Sequence, residues 1–406
     1  MDRVILHCDC NGFFASVECA SRPELKSVPM IVGGDQQARH GIVLAKNELA
    51  KKYGIQTAET VWQAKKKCPH LVIVPPHHDR YIYYSRMINR VYAEYTDLVE
   101  PFGIDESWLD VTGSLRLFGS GKQIADELRR RIRETFGITI SVGVSFNKVF
   151  AKLGSDYKKP DATTVIDREN YKSIVWPLPV SDMLFAGRSS AGALRQMGIF
   201  TIGDIAGADC SKLEKRLGKA GRSLYEYANG LDESPVRRVG EKSDPKSIGR
   251  GMTYPRDLTG RSQIKSAVSA LADDVAVRLR KSGKMCKTVH LTVRACDMKT
   301  FQKQKPVVAT DSVSVIADTA MEIAGQIIPS GMPVRALTVT VSNFTDPDEA
   351  LAQTSLFMTE EEASAVARRD RDSRLGKAMD DIREKYGRSA VSRGAPDKEI
   401  FGEGDD

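Results

Sequence analysis

Strand-length apolar runs and helix-length periodic stretches follow one another along the first part of this chain. Arg3-Val-Ile-Leu-His-Cys-Asp9 is a short apolar run ending in a carboxylate, and Asn11-Gly-Phe-Phe-Ala-Ser-Val-Glu-Cys19 reads as a turn entering a helix. Pro29 to Gly34 and Gly41 to Lys46 are two more strand-like runs, and Asn47 to Gly54 predicts a helix that ends at its glycine. Tyr81 to Tyr95 has helical periodicity. Leu98 to Ile104 and Trp108 to Val111 read as the two arms of a hairpin. Gly121 to Phe136 is amphipathic with a basic end, Arg129-Arg-Arg-Ile-Arg133; Ile138 to Val144 predicts a buried strand, and Asn147 can cap a following helix that carries Lys148 and Lys152 on one face. Residues 167 to 230 turn helical and glycine-punctuated. After a Pro-, Gly- and charge-rich stretch, Leu231 to Asp244, come a helix from about Ser262 to Ser282, a strand at Thr288 to Arg294, a helix near Ser314 to Ile328 and a strand at Ala336 to Ser342. The pattern predicts an α+β multidomain protein: a ferredoxin-like sheet backed by helices, a helical region, and a separate α+β unit.

Length agrees, because 406 residues exceed one ordinary core and point to two to four domains. No run of about 18 apolar residues occurs, and Met1-Asp-Arg-Val4 passes straight into a strand, so neither a membrane span nor a signal peptide is expected and the cytoplasm is the default. Seven cysteines, an odd number scattered without a Cys-x-x-Cys pair, argue for reduced thiols and against a disulfide frame or a zinc site. Net charge is +7 and unevenly placed: residues 245–346 hold fifteen Lys and Arg against eight Asp and Glu, whereas residues 347–406 hold ten against fifteen. A basic region followed by an acidic tail suggests a polyanion-binding domain with a detachable end.

The chemistry centres on Asp105 and Glu106, adjacent carboxylates at or near the hairpin turn. Neighbouring side chains on a strand point to opposite faces, so both reach one site only where the backbone kinks. Two such charges repel unless they are solvated or face a cation. An isolated Asp-Glu pair is ordinarily a solvated turn. Asp9, at the end of its strand, changes that reading, since it is placed as a ligand for a hard cation such as Mg²⁺. Three carboxylates can hold two Mg²⁺ ions roughly 3.5–4 Å apart and stabilise both the attacking and the leaving oxygen of a phosphoryl transfer.

Asp9-Cys-Asn-Gly-Phe-Phe14, Gly103-Ile-Asp-Glu-Ser107 and Ser145-Phe-Asn-Lys-Val-Phe-Ala-Lys-Leu-Gly-Ser155 resemble the palm motifs of the Y-family DNA polymerases, closest to the DNA polymerase IV group. The similarity runs in the family's order from residue 1 to about 346. It implies a right-hand polymerase with palm at 1–19 and 78–166, small fingers at 20–77, a helical thumb at 167–230, a linker at 231–244, a little finger at 245–346, and a tail at 347–406. Asp105 and Glu106 are then the catalytic acids, with Asp9, Asp105, Glu106 and the Cys10 carbonyl as metal ligands for two Mg²⁺ ions. Phe14 aligns with the steric gate, a ring under the sugar that leaves no room for a 2′-hydroxyl. Composition alone would put Phe13 and Phe14 both in the core; the motif reverses this for Phe14, and Phe13 keeps its core place. The nucleotide-binding set is Phe13, Lys51 and Lys159. Three positions depart from the family's pattern: Glu48 stands where Tyr is usual, and Ala45 and Lys51 stand where a hydroxyl residue and an Arg are common. A carboxylate at 48 would repel phosphate unless Lys46, Lys51 or a metal offsets it; otherwise it is an exposed helix position paired with Lys51.

Glycine-flanked turns at 185–189, 197–204 and 217–222 look like helix-hairpin-helix elements that approach phosphates, the plainer reading being helix C-caps. The little finger of the family grips duplex DNA by its backbone, with Arg250, Arg256 and Arg294 as contacts, so binding should weaken with salt and ignore sequence. Gln353-Thr-Ser-Leu-Phe357 resembles the peptide by which bacterial polymerases engage the sliding clamp, with Gln353, Leu356 and Phe357 as anchors. Helical patches and a partly disordered acidic end are expected beyond it.

The resemblance implies template-directed transfer from deoxynucleoside triphosphates to a primer, of the low-fidelity translesion type, by a monomer whose partners are primer-template DNA, dNTP and the clamp. A phosphatase of the haloacid dehalogenase type is disfavoured because Asn11 stands where that chemistry wants a second aspartate. Gly119-Ser-Gly-Lys122 lacks the upstream glycine of a phosphate-binding loop. The serious rival is a DNA- and clamp-binding protein with impaired catalysis, ranked second because all three carboxylates are present.

Overall fold

A computed structural model describes residues 2–34, 39, 41–241, 244–347, 360–387 and 390–391, with side chains from 371 onward in the last helix. The chain divides into two compact units, Met1–Gly34 with Ile42–Lys242, and Asp35–Gly41 with Ser243–Asp406.

The first unit is built on a five-stranded sheet. Its strands are β1 (Ile5–Cys10), β5 (Val99–Pro101), β6 (Glu106–Asp110), β7 (Ile140–Ser145) and β8 (Thr163–Ile166), in the order β5-β6-β1-β7-β8. Every pair is antiparallel except β7 with β8. β1 is buried along its whole length and its side chains alternate between two cores. Leu6 and Cys8 pack with Leu109, Ile124, Leu128 and Ile132 beneath the helices His78–Ala93 and Gly121–Phe136. Ile5 faces the other way, with Trp108, Ala151 and Val236. Each fully buried Leu or Ile contributes roughly 1.5–3 kcal/mol, so the register of β1 is firmly set by its apolar neighbours. The helix Gly121–Phe136 runs between the limits its periodicity predicts, with a capping box between Ser120 and Gln123. The hairpin is present too, with β5 paired to β6 and the acidic pair at its turn.

A smaller sheet of β2 (Met30–Gly33), β3 (Val43–Lys46) and β4 (Val72–Val74), in the order β3-β2-β4, packs Ile31 and Val43 against Ala50, Val61 and Leu71. Four helices between Arg188 and Ala228 enclose a third core around Leu194, Ile202, Leu213 and Leu224. The stretch read as a linker is laid on this unit as far as Glu241. Val236 is buried, Val239 N–H donates to the Asp97 carbonyl at 2.9 Å, and Arg237 donates to Glu100 through its backbone N–H at 3.0 Å and its guanidinium at 3.1 Å.

The second unit is a four-stranded antiparallel sheet of β9 (Ser247–Leu258), β10 (Met285–Ala295), β11 (Thr300–Thr310) and β12 (Val334–Thr345), in the order β11-β10-β12-β9. The helices Arg261–Lys281 and Val313–Ile327 cover one face over Val289, Leu291, Val293, Leu337, Val339 and Val341. Neither outer strand was read from the sequence. β11 alternates Gln and Lys, and β9 carries two glycines, so neither shows the apolar alternation that marks a strand; pairing with the two central strands supplies what the local pattern lacks.

The last helix is among the helical patches expected of the tail, but it is not detached from the fold, and the acidic end beyond residue 391 lies outside the described residues. Glu360–Tyr386 is one continuous helix tied to the second unit. Arg280, itself nearly buried, holds Asp380 through two bonds of 2.7 and 3.0 Å. Arg383 reaches Asp273 at 2.7 Å, and the Ser312 and Ser314 hydroxyls donate to Asp372 at 2.9 and 2.6 Å. Gln353, Leu356 and Phe357 lie outside the described residues.

Candidate active site

Two adjacent strands bring the carboxylates together. Asp9 ends the buried run of β1 and sits directly opposite Glu106 across the β1–β6 ladder, so the two side chains share a face. Asp105 lies one residue before β6, in the bend, which lets neighbouring acids reach one cleft. Gly103, at φ +99°, turns the chain there, a conformation costly for any other residue. The Cys10 N–H donates to the Asp105 carbonyl at 3.0 Å and fastens the bend to the end of β1.

The helix Lys148–Tyr157 supplies the counter-charge. Asn147 caps it as predicted, its side chain accepting from the Phe150 N–H at 2.7 Å. It lies so close to β7 that a Cβ on Gly143 would fall 1.9 Å from the Ala151 carbonyl oxygen, and only glycine permits that approach. Lys152 Nζ is consequently held 2.6 Å from Glu106 Oε2 and 3.2 Å from Asp9 Oδ2. Lys159 Nζ stands 2.8 Å from the same Asp9 oxygen and 2.6 Å from Asp156. Lys148 is turned elsewhere, 2.8 Å from Glu100 and over the face of Trp108. His7, two residues before Asp9 on the same strand face, is fully buried, with Nε2 3.1 Å from Glu106 Oε2 and Nδ1 2.8 Å from Ser155 Oγ.

These contacts divide the acids. Burial, and then the Asp9 and Glu106 charges, push the Asp105 carboxyl up to about 6. Burial acts the same way on Glu106, but hydrogen bonds from His7 and Lys152 overcome it and hold that carboxyl at about 2. Burial would lower Lys152 and Lys159; the Asp9 charge, together with Asp156 and, for Lys152, Glu106, outweighs it and raises both. Burial drives the His7 imidazole down despite its acidic neighbour.

Among the described residues no three His, Cys, Asp or Glu side chains stand grouped as a ready-made metal site, since Asp9 and Glu106 are each turned on to an ammonium group. The donor set nevertheless fits a hard divalent cation. It is all carboxylate and carbonyl oxygen, and Asp105 carries a carboxylate destabilised by two like charges, which a cation would relieve.

The carboxylates open into a cavity of about 510 Å³ that also exposes Phe14, Lys46, Glu48, Lys51 and Lys159. Phe14 is half-buried and lies flat on Tyr81, with ring centroids 4.2 Å apart and planes 12° apart; Phe13 is buried in the core behind it, edge-on to the same tyrosine. Glu48 opens the short helix Glu48–Lys52 with its carboxylate 3.7 Å from Lys51 Nζ, both side chains mostly exposed, so the i to i+3 pair expected of a surface helix is what forms. Lys46 Nζ donates to Thr57 Oγ1 at 3.3 Å. The roles of His7, Lys152 and Tyr81 were not visible in the sequence. His7 alone left a signal, its two-residue spacing from Asp9 on one strand face.

In the second unit the strand registers separate the candidate DNA contacts. Arg250 is opposite the core residue Val339, on the helix side, 3.4 Å from Asp274. Lys303 and Lys305 are opposite Leu291 and Val289, also on that side, where Lys305 pairs with Glu322. Arg256 is exposed near the end of β9. The open face carries Arg294 with Thr292, Gln302, Gln304, Thr338, Thr340 and Ser342. It is a mostly neutral surface of hydroxyls and amides.

Fold and site together define a Y-family DNA polymerase, and the comparisons agree. Residues 8–156 match the impB/mucB/samB family and residues 245–356 its C-terminal domain. A solved Y-family DNA polymerase chimera of Dbh and Dpo4 superposes with a TM-score of 0.75 at 25% identity, over 84% of this chain and 99% of that one. The DNA polymerase IV of Acetivibrio thermocellus is 45% identical, with 97% of each chain covered; that of Moorella thermoacetica is 38% identical over 97% of this chain and 96% of its own. DNA polymerase IV 2 of Bacillus subtilis is 37% identical over 97% and 94%. The chain belongs to the impB/mucB/samB family of Y-family DNA polymerases, in its polymerase IV group. It is a DNA-directed DNA polymerase. No helix among the described residues is long and apolar enough to cross a membrane.

Proposed function

We propose that this polymerase extends a primer across damaged template by nucleotidyl transfer at the Asp9, Asp105 and Glu106 cleft. The observation that carries this reading is the meeting of these three carboxylates with Phe14, Lys51 and Lys159 around one cavity. Two Mg²⁺ ions held by the carboxylates and the Cys10 carbonyl would supply an acidified primer 3′-hydroxyl and a neutralised triphosphate and departing pyrophosphate. The rest is done by the chain's own groups. Lys159 and Lys51 receive the triphosphate, Lys51 having only a point charge where an arginine would offer a fork. Lys152 and His7 orient Glu106. Phe14 forms the floor under the sugar, and the neutral open face of the second unit holds the duplex by its backbone. Small fingers of three short strands leave the nascent pair loosely checked, in keeping with low fidelity. Gln353 to Phe357 would dock this cytoplasmic, monomeric enzyme on the sliding clamp, which compensates for low processivity.

One observation favours the rival, a binding protein of impaired catalysis: Glu48 lines the cavity beside Lys51. Single-turnover extension of a labelled primer-template with the four dNTPs and Mg²⁺, beside Asp105→Ala, separates the two. Loss of the order of a thousandfold or more in the variant with DNA affinity retained is expected. Equal rates in both proteins, or no extension by the wild type, would overturn the catalytic assignment.

A further inference from the structure

We propose that the buried carboxylate of Glu18 is a positioning residue for sugar discrimination, acting on Phe14 through the hydroxyl of Tyr81. The inference rests on the reading of Phe14 as the floor of the sugar site.

Glu18 lies in the last turn of the helix Phe13–Ser21, whose first turn carries Phe14, and its side chain has no solvent exposure. A buried carboxylate is expensive unless every lone pair is used. All are used here. Oε1 accepts from the Tyr81 hydroxyl at 2.7 Å and from His77 Nδ1 at 2.8 Å. Oε2 accepts from Arg22 at 2.9 Å and from Arg80 at 3.2 Å. Three of the four donors come from residues 77–81, at the start of the helix His78–Ala93, so one carboxylate clamps that helix start to the helix bearing Phe14.

The consequence falls on a ring rather than on the fold at large. Tyr81 is fully buried, and a phenol packed face to face with Phe14 can still slide or tilt in its slot. Pinning the hydroxyl at the far end of the ring removes that freedom, because a hydrogen bond to a charged acceptor is directional and short. The half-buried Phe14 ring, lying flat on Tyr81, inherits the fixed plane. A floor of fixed height is what discriminates one hydroxyl, since a displacement near 1 Å is enough to admit it.

The test measures kcat/KM for dCTP and for CTP opposite template G, in the wild type, Glu18→Gln, Tyr81→Phe and Phe14→Ala. In Glu18→Gln the two guanidinium groups keep the amide oxygen, so the amide NH₂ faces Tyr81 and the short charge-assisted bond that the hydroxyl donates is lost, leaving at most a weaker neutral bond in the reverse direction. Tyr81→Phe removes the same bond while preserving the packed ring, and stands in if Glu18→Gln fails to fold. Both variants are expected to lower the dCTP/CTP ratio by about three- to tenfold, chiefly through better use of CTP, and Phe14→Ala to lower it by about a hundredfold. A purely structural Glu18 would lower thermal stability and leave the ratio unchanged. That result in Tyr81→Phe, with Phe14→Ala collapsing the ratio, overturns this inference alone. An unchanged ratio in Phe14→Ala overturns the sugar-floor reading and this inference with it.

Discussion

On the function proposed above, the carboxylate cleft of the first unit and the open sheet face of the second both serve a nucleic acid, and they are built in opposite ways. In the cleft three acids and two lysines crowd within a few ångströms, partly buried, where Coulomb interactions are several times stronger than in water. On the sheet Lys303, Lys305 and Arg250 are turned to the helix side, the last two into ion pairs, and the open face is left with Thr, Ser and Gln around Arg294. Fixed charge is concentrated where a reaction needs a defined geometry. Where a duplex must be held and then moved on by one base pair, neutral donors hold phosphates weakly and interchangeably. The +7 of residues 245–346 therefore says less about the DNA face than its size suggests.

The sharpest way to break this contrast is to remove the central cation of the cleft. Lys152→Met leaves Asp9 and Glu106 facing each other across adjacent strands. It should destabilise the protein by about 3 kcal/mol in metal-free buffer, since breaking a buried pair leaves an uncompensated charge. Added Mg²⁺ should recover part of the loss, which denaturant titration with and without EDTA would show. A stability equal to wild type in both buffers would mean that Lys152 balances nothing.

The sheet face should respond less, and in kind. Arg294→Ala is expected to reduce the slope of log affinity against log salt by about one, whereas Arg250→Ala, already paired to Asp274, should leave it unchanged. The double change Thr338→Val with Thr340→Val should weaken duplex binding about tenfold without altering the slope, because it removes hydrogen bonds and no charge. Fluorescence anisotropy at several salt concentrations distinguishes the three. A steep slope that falls in Arg250→Ala would restore the charged-face picture.

The smallest effect concerns the lysine that stays out of the cleft. Burial would raise the Glu100 carboxyl, but hydrogen bonds from Lys148 and Arg237 hold it below its ordinary 4.5. A depressed carboxyl stabilises above its unfolded value and loses that contribution as pH falls through its folded one. The wild type should therefore lose more stability than Glu100→Gln between pH 6 and values below 4.5. Parallel urea midpoints across that range would argue against it.

Much of the cleft was legible in the chain itself. Asp9 at the end of an apolar run, two acids at a hairpin turn and an Asn-capped helix are local statements, and their elements form between nearly the predicted limits. The tail was not legible. A charge-rich stretch with little apolar periodicity offered helical patches but nothing to dock them, and its helix is held by Asp372 and Asp380 on Ser312, Ser314 and Arg280 far back in the chain. The outer strands β9 and β11 were missed for the same reason: their pattern is completed by neighbours.

What the sequence determined alone is the set of elements and the residue types that carry the chemistry, because periodicity, caps and turns are properties of contiguous residues. Only the tertiary structure decided that Lys152 rather than Lys148 meets the acids, that Tyr81 underlies Phe14, and that Arg250 faces away from Arg294. Those outcomes depend on strand register and on how closely a helix can approach a sheet. Both are fixed by packing between segments a hundred residues apart, which no local pattern records.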